Sequence, residues 1–396
     1  MADTLPKRLS TGLLTAYGVG IMVGAGIYVL VGHAAGAAGI WAPLAFLLAG
    51  LVAVPSALSF AELSSRIPEA AGDSAYVEHG LHMHWLAVLV GFINILAGII
   101  GGAAVLRGGV GYLTALVPID PTVAMLALGG ALTVIAVLGV VESLSFAAIL
   151  TLVEVVGLAL VIWAGFSATP SGDWTAPTSL HLPGVLAASI FAFFAFLGFD
   201  DLVNMAEEAR DPARQMPRAI LWSLAITSAL YALVTWAAVR AVPVADLAAS
   251  ERPLALVWTA ATGAPAAFLS SIAVAAALNG VLAQIVMAAR VFFGLGRRSR
   301  WLCVFNRTNP RFGTPLLATC VTGVLTTAAA LALPVATLAE YTTLALLVVF
   351  SIVNAALIGV KRSGVLSPFS VPRIVPWLGL AGALALFAVN MAAFLT

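Results

Sequence analysis

Phe193-Phe194-Ala195-Phe196-Leu197-Gly198-Phe199-Asp200-Asp201 is the stretch that decides how this chain is read. It starts as an apolar helix, meets a glycine, and then sets two carboxylates side by side. At the centre of a bilayer each carboxylate costs at least about 2.5 kcal/mol. The pair is tolerable only where the helix breaks, near water or a helix N-terminus. A second interrupted segment reads Gly18-Val19-Gly20-Ile21-Met22-Val23-Gly24-Ala25-Gly26-Ile27-Tyr28. Glycine in a helix costs about 1 kcal/mol relative to alanine, so the two glycines around Ala25 let the helix unwind and a ligand approach the backbone.

The rest of the chain sets these breaks in a membrane. Of 396 residues, 62% are hydrophobic and 9% charged, against about 25% charged in a soluble protein. That composition excludes a soluble enzyme, a disordered chain and a nucleic-acid binder. The apolar runs are continuous, which excludes a β-barrel. Eleven runs are long enough to span, at about 20 residues each: 11–35, 42–65, 85–108, 122–141, 144–166, 184–205, 219–242, 264–296, 314–333, 337–360 and 374–395. The longer connections are 66–84, 167–183, 243–263 and 297–313. The expected fold class is an all-α membrane protein of one domain, embedded in the lipid bilayer of the cell membrane.

Charge placement gives an expected orientation. With Lys7 and Arg8 in the cytoplasm, the loops after even-numbered spans also face it. They hold Arg66, Arg210, Arg214, Arg218, Arg297, Arg298, Arg300, Arg307, Arg311, Lys361, Arg362 and Arg373. The outward loops hold only Arg240 and Arg252. The odd span count then puts the C-terminus outside. The first span is read as retained, because no cleavage site follows it.

Gly24 and Gly198 lie 174 residues and five spans apart, so their helices cross in opposite directions. Matching broken spans in two halves indicate an inverted-repeat transporter. Repeat one would be 11–166, repeat two 184–360, and 374–395 an additional span. The half-helix after Gly24-Ala25-Gly26 offers free N–H groups and a positive dipole end, suited to a carboxylate. Unwound carbonyls of Ile21, Met22, Phe194, Ala195 and Leu197, with the freedom Gly198 gives, would accept from an ammonium group. The expected substrate is therefore an α-amino acid. Asp200 either joins this site or caps the helix that follows.

Several motifs now align. The segment 193–201, followed by Glu207-Glu208-Ala209-Arg210-Asp211-Pro212 and Met216-Pro217-Arg218, resembles the span-six signature of the amino acid–polyamine–organocation superfamily, in its cationic amino acid transporter-like branch. Gly24-Ala25-Gly26-Ile27-Tyr28 is similar to its span-one motif. Ala61-Glu62-Leu63-Ser64-Ser65-Arg66-Ile67-Pro68 is similar to its second-span exit, and Asn309-Pro310-Arg311-Phe312-Gly313-Thr314-Pro315 to its approach to span nine. The resemblance implies a leucine-transporter-type fold of five plus five helices, with helices 1 and 6 discontinuous, and alternating access. It implies backbone recognition of substrate at Gly24–Gly26, with Phe194 at the aromatic position that closes over it. Most members have twelve spans. Proton-coupled relatives often carry a lysine where this chain has Glu154, standing in for a sodium ion.

A buried glutamate can exchange a proton near neutral pH. Glu154 is therefore the expected coupling residue, with Asp200 and Asn279 as further ion-coupling or gating candidates. The coupling ion is expected to be a proton, with sodium the alternative. Exchange of polyamines or other organic cations is the second transport reading, and an intramembrane enzyme or a channel the reading from another class. No nucleotide motif is present, and no cofactor, catalytic residue or metal is expected. His79, His82 and His84 read as an interfacial loop. Arg107 and Glu142 read as span-end residues reaching for the interface. Glu207 and Glu208 are candidates to lock an inner gate with Arg66 or Arg210, the other reading being a solvated helix end. Cys303 and Cys320 read as packing residues without a disulfide.

Overall fold

The computed structural model describes residues 9–68, 72–139, 144–175, 179–309, 314–362 and 367–395. Among them the architecture is entirely helical, with one isolated backbone bridge between Leu9 and Ala209. In chain order the helices are α1 (Thr11–Val23), α2 (Ala25–Ala38), α3 (Ala42–Arg66), α4 (Gly72–Leu81), α5 (His84–Leu113), α6 (Pro121–Leu138), α7 (Leu144–Ser167), α8 (Gly172–Thr175), α9 (Leu182–Phe196), α10 (Pro212–Ala241), α11 (Val244–Ala249), α12 (Pro253–Thr262), α13 (Ala267–Arg298), α14 (Leu316–Ala332), α15 (Val335–Arg362) and α16 (Ile374–Leu395). Tighter three-residue-per-turn helix covers Gly39–Trp41, Asp201–Glu208 and Arg300–Phe305.

Among the described residues, each of the eleven apolar runs contains helix. Their limits follow local chemistry. Ser10 caps α1 by accepting from the Leu13 N–H at 3.3 Å, and Asp120 caps α6 by accepting from Val123 at 3.1 Å, each meeting a donor that the helix leaves unpaired. Pro121, Pro212 and Pro253 each open a helix, where a missing N–H costs nothing. The outward faces are apolar: Leu51 is 68% exposed and Leu152 64%. Patches of this kind are stable against lipid and not against water. The chain is a multi-pass membrane protein.

One expectation needs correction, and the longer connections carry helix of their own. Residues 66–84 contain α4, 167–183 contain α8, and 243–263 contain α11 and α12. Arg107 is half-buried, and its Nη1 donates to the carbonyl of Ala330 in the last turn of α14 at 2.7 Å. Cys303 is exposed rather than packed, while Cys320 is half-buried. Glu142 lies outside the described residues, as do the side chains of Glu207 and Glu208.

Two polar nodes fix the helix arrangement. Asn354 of α15 donates to Ser56 Oγ at 2.9 Å and accepts from Ser59 Oγ at 2.7 Å, joining α15 to α3. Such bonds are worth about 1 kcal/mol in membranes. Near the C-terminal end of α3, Glu62 is fully buried. Its carboxylate accepts from Arg66 Nε at 2.9 Å, Lys361 Nζ at 2.7 Å and the Val371 N–H at 2.8 Å. This node ties α3 to the end of α15 and to the segment leading into α16.

Candidate functional site

The first break is confined to one residue. α1 ends at Val23, Gly24 takes φ −30° and ψ −170°, and α2 starts at Ala25. No side chain caps α2, so its first-turn N–H groups are left for another acceptor. In the second break α9 ends at Phe196, Leu197 is extended, and Gly198 has φ +124°. That left-handed conformation suits glycine alone. Asp200 turns back to accept from the Gly198 N–H at 2.9 Å. It does not cap the helical run that follows, where no side-chain cap bond is made.

The two breaks meet. A methyl group on Gly26 would touch the Phe194 ring and the Ala195 Cα, each at 3.6 Å, and one on Gly198 would run into Ile21. Tyr231 of α10 bridges them. Its hydroxyl lies 2.5 Å from the Met22 carbonyl and 2.9 Å from the Ala195 carbonyl, so one O–H is shared between both broken helices. A lone tyrosine in an apolar span was the available signal for this residue, but its target lies 209 residues away.

Beside the breaks lies a cavity of about 630 Å³, within the range of small-molecule sites. Ile21, Met22, Gly24, Gly26, Phe194, Ala195, Leu197, Gly198, Asp200 and Asn279 all line it. Two expected residues stand apart. The side chain of Ala25 lies outside what the structure describes. Glu154 is only 2% exposed and is not among the lining residues, although Thr151, one turn earlier on α7, is. Glu154 Oε2 is enclosed without a hydrogen bond, and its backbone carbonyl accepts from Tyr28 Oη at 3.4 Å. Tyr28 is held in turn by Tyr112, which donates to its carbonyl at 2.7 Å.

The cavity wall also carries Asp73 of α4, Asn94 of α5, Asp201 and Gln284 of α13. Asn94 Nδ2 donates to Asp73 Oδ2, and Gln284 Nε2 to Asp201 Oδ2 at 3.4 Å. Burial pushes the Asp73 carboxyl up to about 7; the Asp200 carboxylate adds to this and the Asn94 bond opposes it. An acid whose folded-state value exceeds the unfolded one of about 3.9 stabilises the fold at low pH. That contribution is complete below about pH 4 and is lost as pH rises through about 7. It amounts to on the order of 4 kcal/mol. Thermal-shift measurements on purified protein are expected to show the melting temperature falling between pH 5 and pH 8. Asp73→Asn is expected to flatten that slope, and an unchanged slope would contradict the assignment.

His79 Nδ1 lies 2.8 Å from the Ala75 carbonyl and His84 Nδ1 3.2 Å from Glu78 Oε1. Among the described residues no group of three His, Cys, Asp or Glu is placed to hold a metal ion.

A multi-pass helical protein with a buried, partly polar cavity where two broken helices meet has the form of a permease. A profile described as amino acid permease matches residues 9–395, and the chain belongs to that family. It is 32% identical over 389 residues to the vacuolar cationic amino acid transporter 4 of Arabidopsis thaliana, covering 88% of this chain and 62% of the relative. It is 28% identical over 383 residues to the methylthioribose transporter of Bacillus subtilis (strain 168), covering 91% and 82%. It is 26% identical over 410 residues to the branched-chain amino acid permease of the same organism, covering 98% and 88%. The chain spans about six-tenths of the length of the plant cationic transporter. These relatives are transporters and permeases, not enzymes.

Proposed function

We propose that this chain is a secondary transporter that moves an α-amino acid across the cell membrane by alternating access. The observation that carries the reading is the meeting of two broken helices at one cavity. The uncapped start of α2 supplies N–H donors and a positive dipole end to a carboxylate. The carbonyls of Ile21, Met22 and Ala195 take the ammonium group, with Tyr231 holding two of them in register. Each carbonyl oxygen has two lone pairs, so Tyr231 leaves acceptor capacity in place. Phe194, beside Gly26 at the cavity wall, closes over the bound molecule.

In this reading helices α1–α7 and α9–α15 form two inverted repeats and α16 is an addition. The N-terminus is cytoplasmic, so the cavity, which reaches Tyr17 and Arg290, opens inward. Movement of the α1–α2 and α9 breaks against α5 and α13 exposes the site to the other side. Coupling is to protons through Glu154. Its enclosed, unpartnered oxygen next to the Tyr28 contact gives a carboxyl that takes up or releases a proton only when this packing opens. The matched relatives span cationic and branched-chain amino acids and a sulfur-containing sugar, so kinship leaves the substrate's side chain open.

The test is uptake into proteoliposomes of whichever amino acid stabilises the purified protein in a thermal-shift panel. Uptake is expected to be sodium-independent and to be accelerated by an acidic exterior. Glu154→Gln is expected to abolish the accelerating effect of the pH gradient. Gradient-driven uptake that survives this change removes the coupling role. Uptake that requires sodium replaces the proton.

A further inference from the structure

We propose that the tight helix Arg300–Phe305 is a surface anchor that sets Trp301 and Val304 into the headgroup layer of an acidic phospholipid bilayer. Neither the cavity nor the helix breaks take part in it.

The anchor stands on a fixed base. α13 has 32 residues, about 48 Å at 1.5 Å each, against about 30 Å of hydrocarbon. It is long enough to carry its C-terminal end into the headgroup layer. There Ser299 is extended, the chain reverses, and the tight helix lies back along α13. The approach is close at Gly296, where a methyl group would lie 2.8 Å from the Leu302 carbonyl oxygen and 2.9 Å from the Asn306 nitrogen. Phe305 stacks on Phe292, with ring centroids 4.7 Å apart and planes at 30°. Leu302 and Phe305 both pack against Ile95, Ile99, Phe292 and Leu295. These contacts hold the helix down on α5 and α13.

A helix of this kind turns every three residues. Leu302 and Phe305 therefore share the inner face, and Trp301 and Val304 share another. Trp301 is 95% exposed and Val304 48%. With its backbone fixed, Trp301 has no route back into the bundle. In water its ring would leave a large apolar surface uncovered. At a membrane surface the apolar body meets acyl chain and the indole N–H meets headgroup, which is where tryptophan is most favourable.

Charge selects the kind of surface. Arg297, Arg298, Arg300 and Arg307 flank or open the tight helix, and no Asp or Glu occurs in the chain between Glu251 and Glu340. Arg307 is exposed. Arginines that only fixed the orientation of the chain would need no exposed tryptophan among them. A tryptophan that only marked the interface would need no run of arginines free of acidic neighbours in sequence. An apolar pair on a basic segment fits acidic lipid, where insertion and charge attraction add.

The test uses the purified full chain carrying Cys303→Ser, Cys320→Ser and Val304→Cys, with a nitroxide on the new thiol. It is reconstituted in phosphatidylcholine vesicles and in vesicles with about 30% phosphatidylglycerol, an acidic surface. Collisions of the nitroxide with oxygen, which concentrates in lipid, are compared with those of a neutral water-soluble nickel chelate. The oxygen-to-nickel ratio is expected to be at least about threefold higher in the acidic vesicles. Trp301→Ser is expected to lower it there, and Arg300→Gln with Arg307→Gln to return it to the phosphatidylcholine value. Exposed Cys303, in a Cys320→Ser background, carries the label if Val304→Cys does not fold. A water-like ratio in both vesicles overturns the anchor. So does an equal ratio in the two compositions, which would mean insertion without regard to lipid charge. Protection from both oxygen and nickel, the mark of a protein contact, overturns it as well.

Discussion

Gly198→Ala is expected to reduce amino acid uptake by a factor of at least about 20, while the protein still inserts and can be purified. Gly198 has φ +124°, where a residue with a Cβ costs about 1–3 kcal/mol. The added methyl group would also lie closer to the Ile21 side chain than real contacts allow. Ile21 is in the last turn of α1, just before the Gly24 break. The chain has two responses. It can shift the second break away from the first, which separates the Met22 and Ala195 carbonyls that Tyr231 bridges. Or it can rewind residues 197–199 into helix, which removes the break. Each response destroys the site, and neither unfolds the bundle at this cost. Gly130→Ala is the control. Gly130 lies on an exposed face of α6, and an added methyl group would meet nothing within 4 Å. Its uptake is expected to remain within about threefold of wild type, since alanine is the better helix former there. The measurement is initial-rate uptake in proteoliposomes at matched reconstitution. Wild-type rates in Gly198→Ala would mean that the second break is not used.

The contrast between these glycines shows what the sequence can reveal. The breaks were legible because they violate a local rule: glycines and carboxylates interrupt otherwise uniform apolar helices. The eleven apolar runs were legible for the same reason, since composition and length are local. What was hidden depends on distant partners. Tyr231 reads as one hydroxyl in α10, and nothing nearby shows that it joins two helices. Asp73 falls in a polar connection, where a carboxylate is ordinarily solvated. Only the folding of α4 against α5 and α15 buries it at the cavity wall. Arg107 sits near a helix end, and only the fold shows that α14 brings the Ala330 carbonyl to it. Glu154 is the converse case. Its position on α7 suggested a place at the ion site, yet the side chain packs behind the lining, one turn from Thr151. Whether a side chain one turn along a helix lines a cavity or packs behind its wall cannot be seen from spacing alone.

Glu62→Ala is expected to destabilise the protein by about 3–5 kcal/mol, the usual cost of removing one partner from a buried ion pair. For a chain of this length that corresponds to a drop of roughly 5 °C in melting temperature. The carboxylate is fully buried and accepts from two cations and a backbone N–H. Its loss leaves Arg66, Lys361 and the Val371 N–H without their shared acceptor, at a site where the two cations are only 9% exposed. Lys361→Met is expected to cost less, because Arg66 and Val371 still compensate Glu62; it also gives up the bonds of Nζ to the Val371 carbonyl and Ser370. The double variant Glu62→Met with Lys361→Met is expected to be more stable than Glu62→Ala alone, since it removes one of the stranded charges and refills the space with apolar volume. This ordering separates an ion-pair node from simple packing. If Glu62 mattered only for volume, Glu62→Gln would restore wild-type stability. If it compensates charge, Glu62→Gln stays close to Glu62→Ala, because an amide satisfies neither cation fully and adds donors opposite donors. Melting curves of the purified variants decide between them, and a Glu62→Gln protein as stable as wild type would end the charge-compensation account of how α3, α15 and α16 are held together.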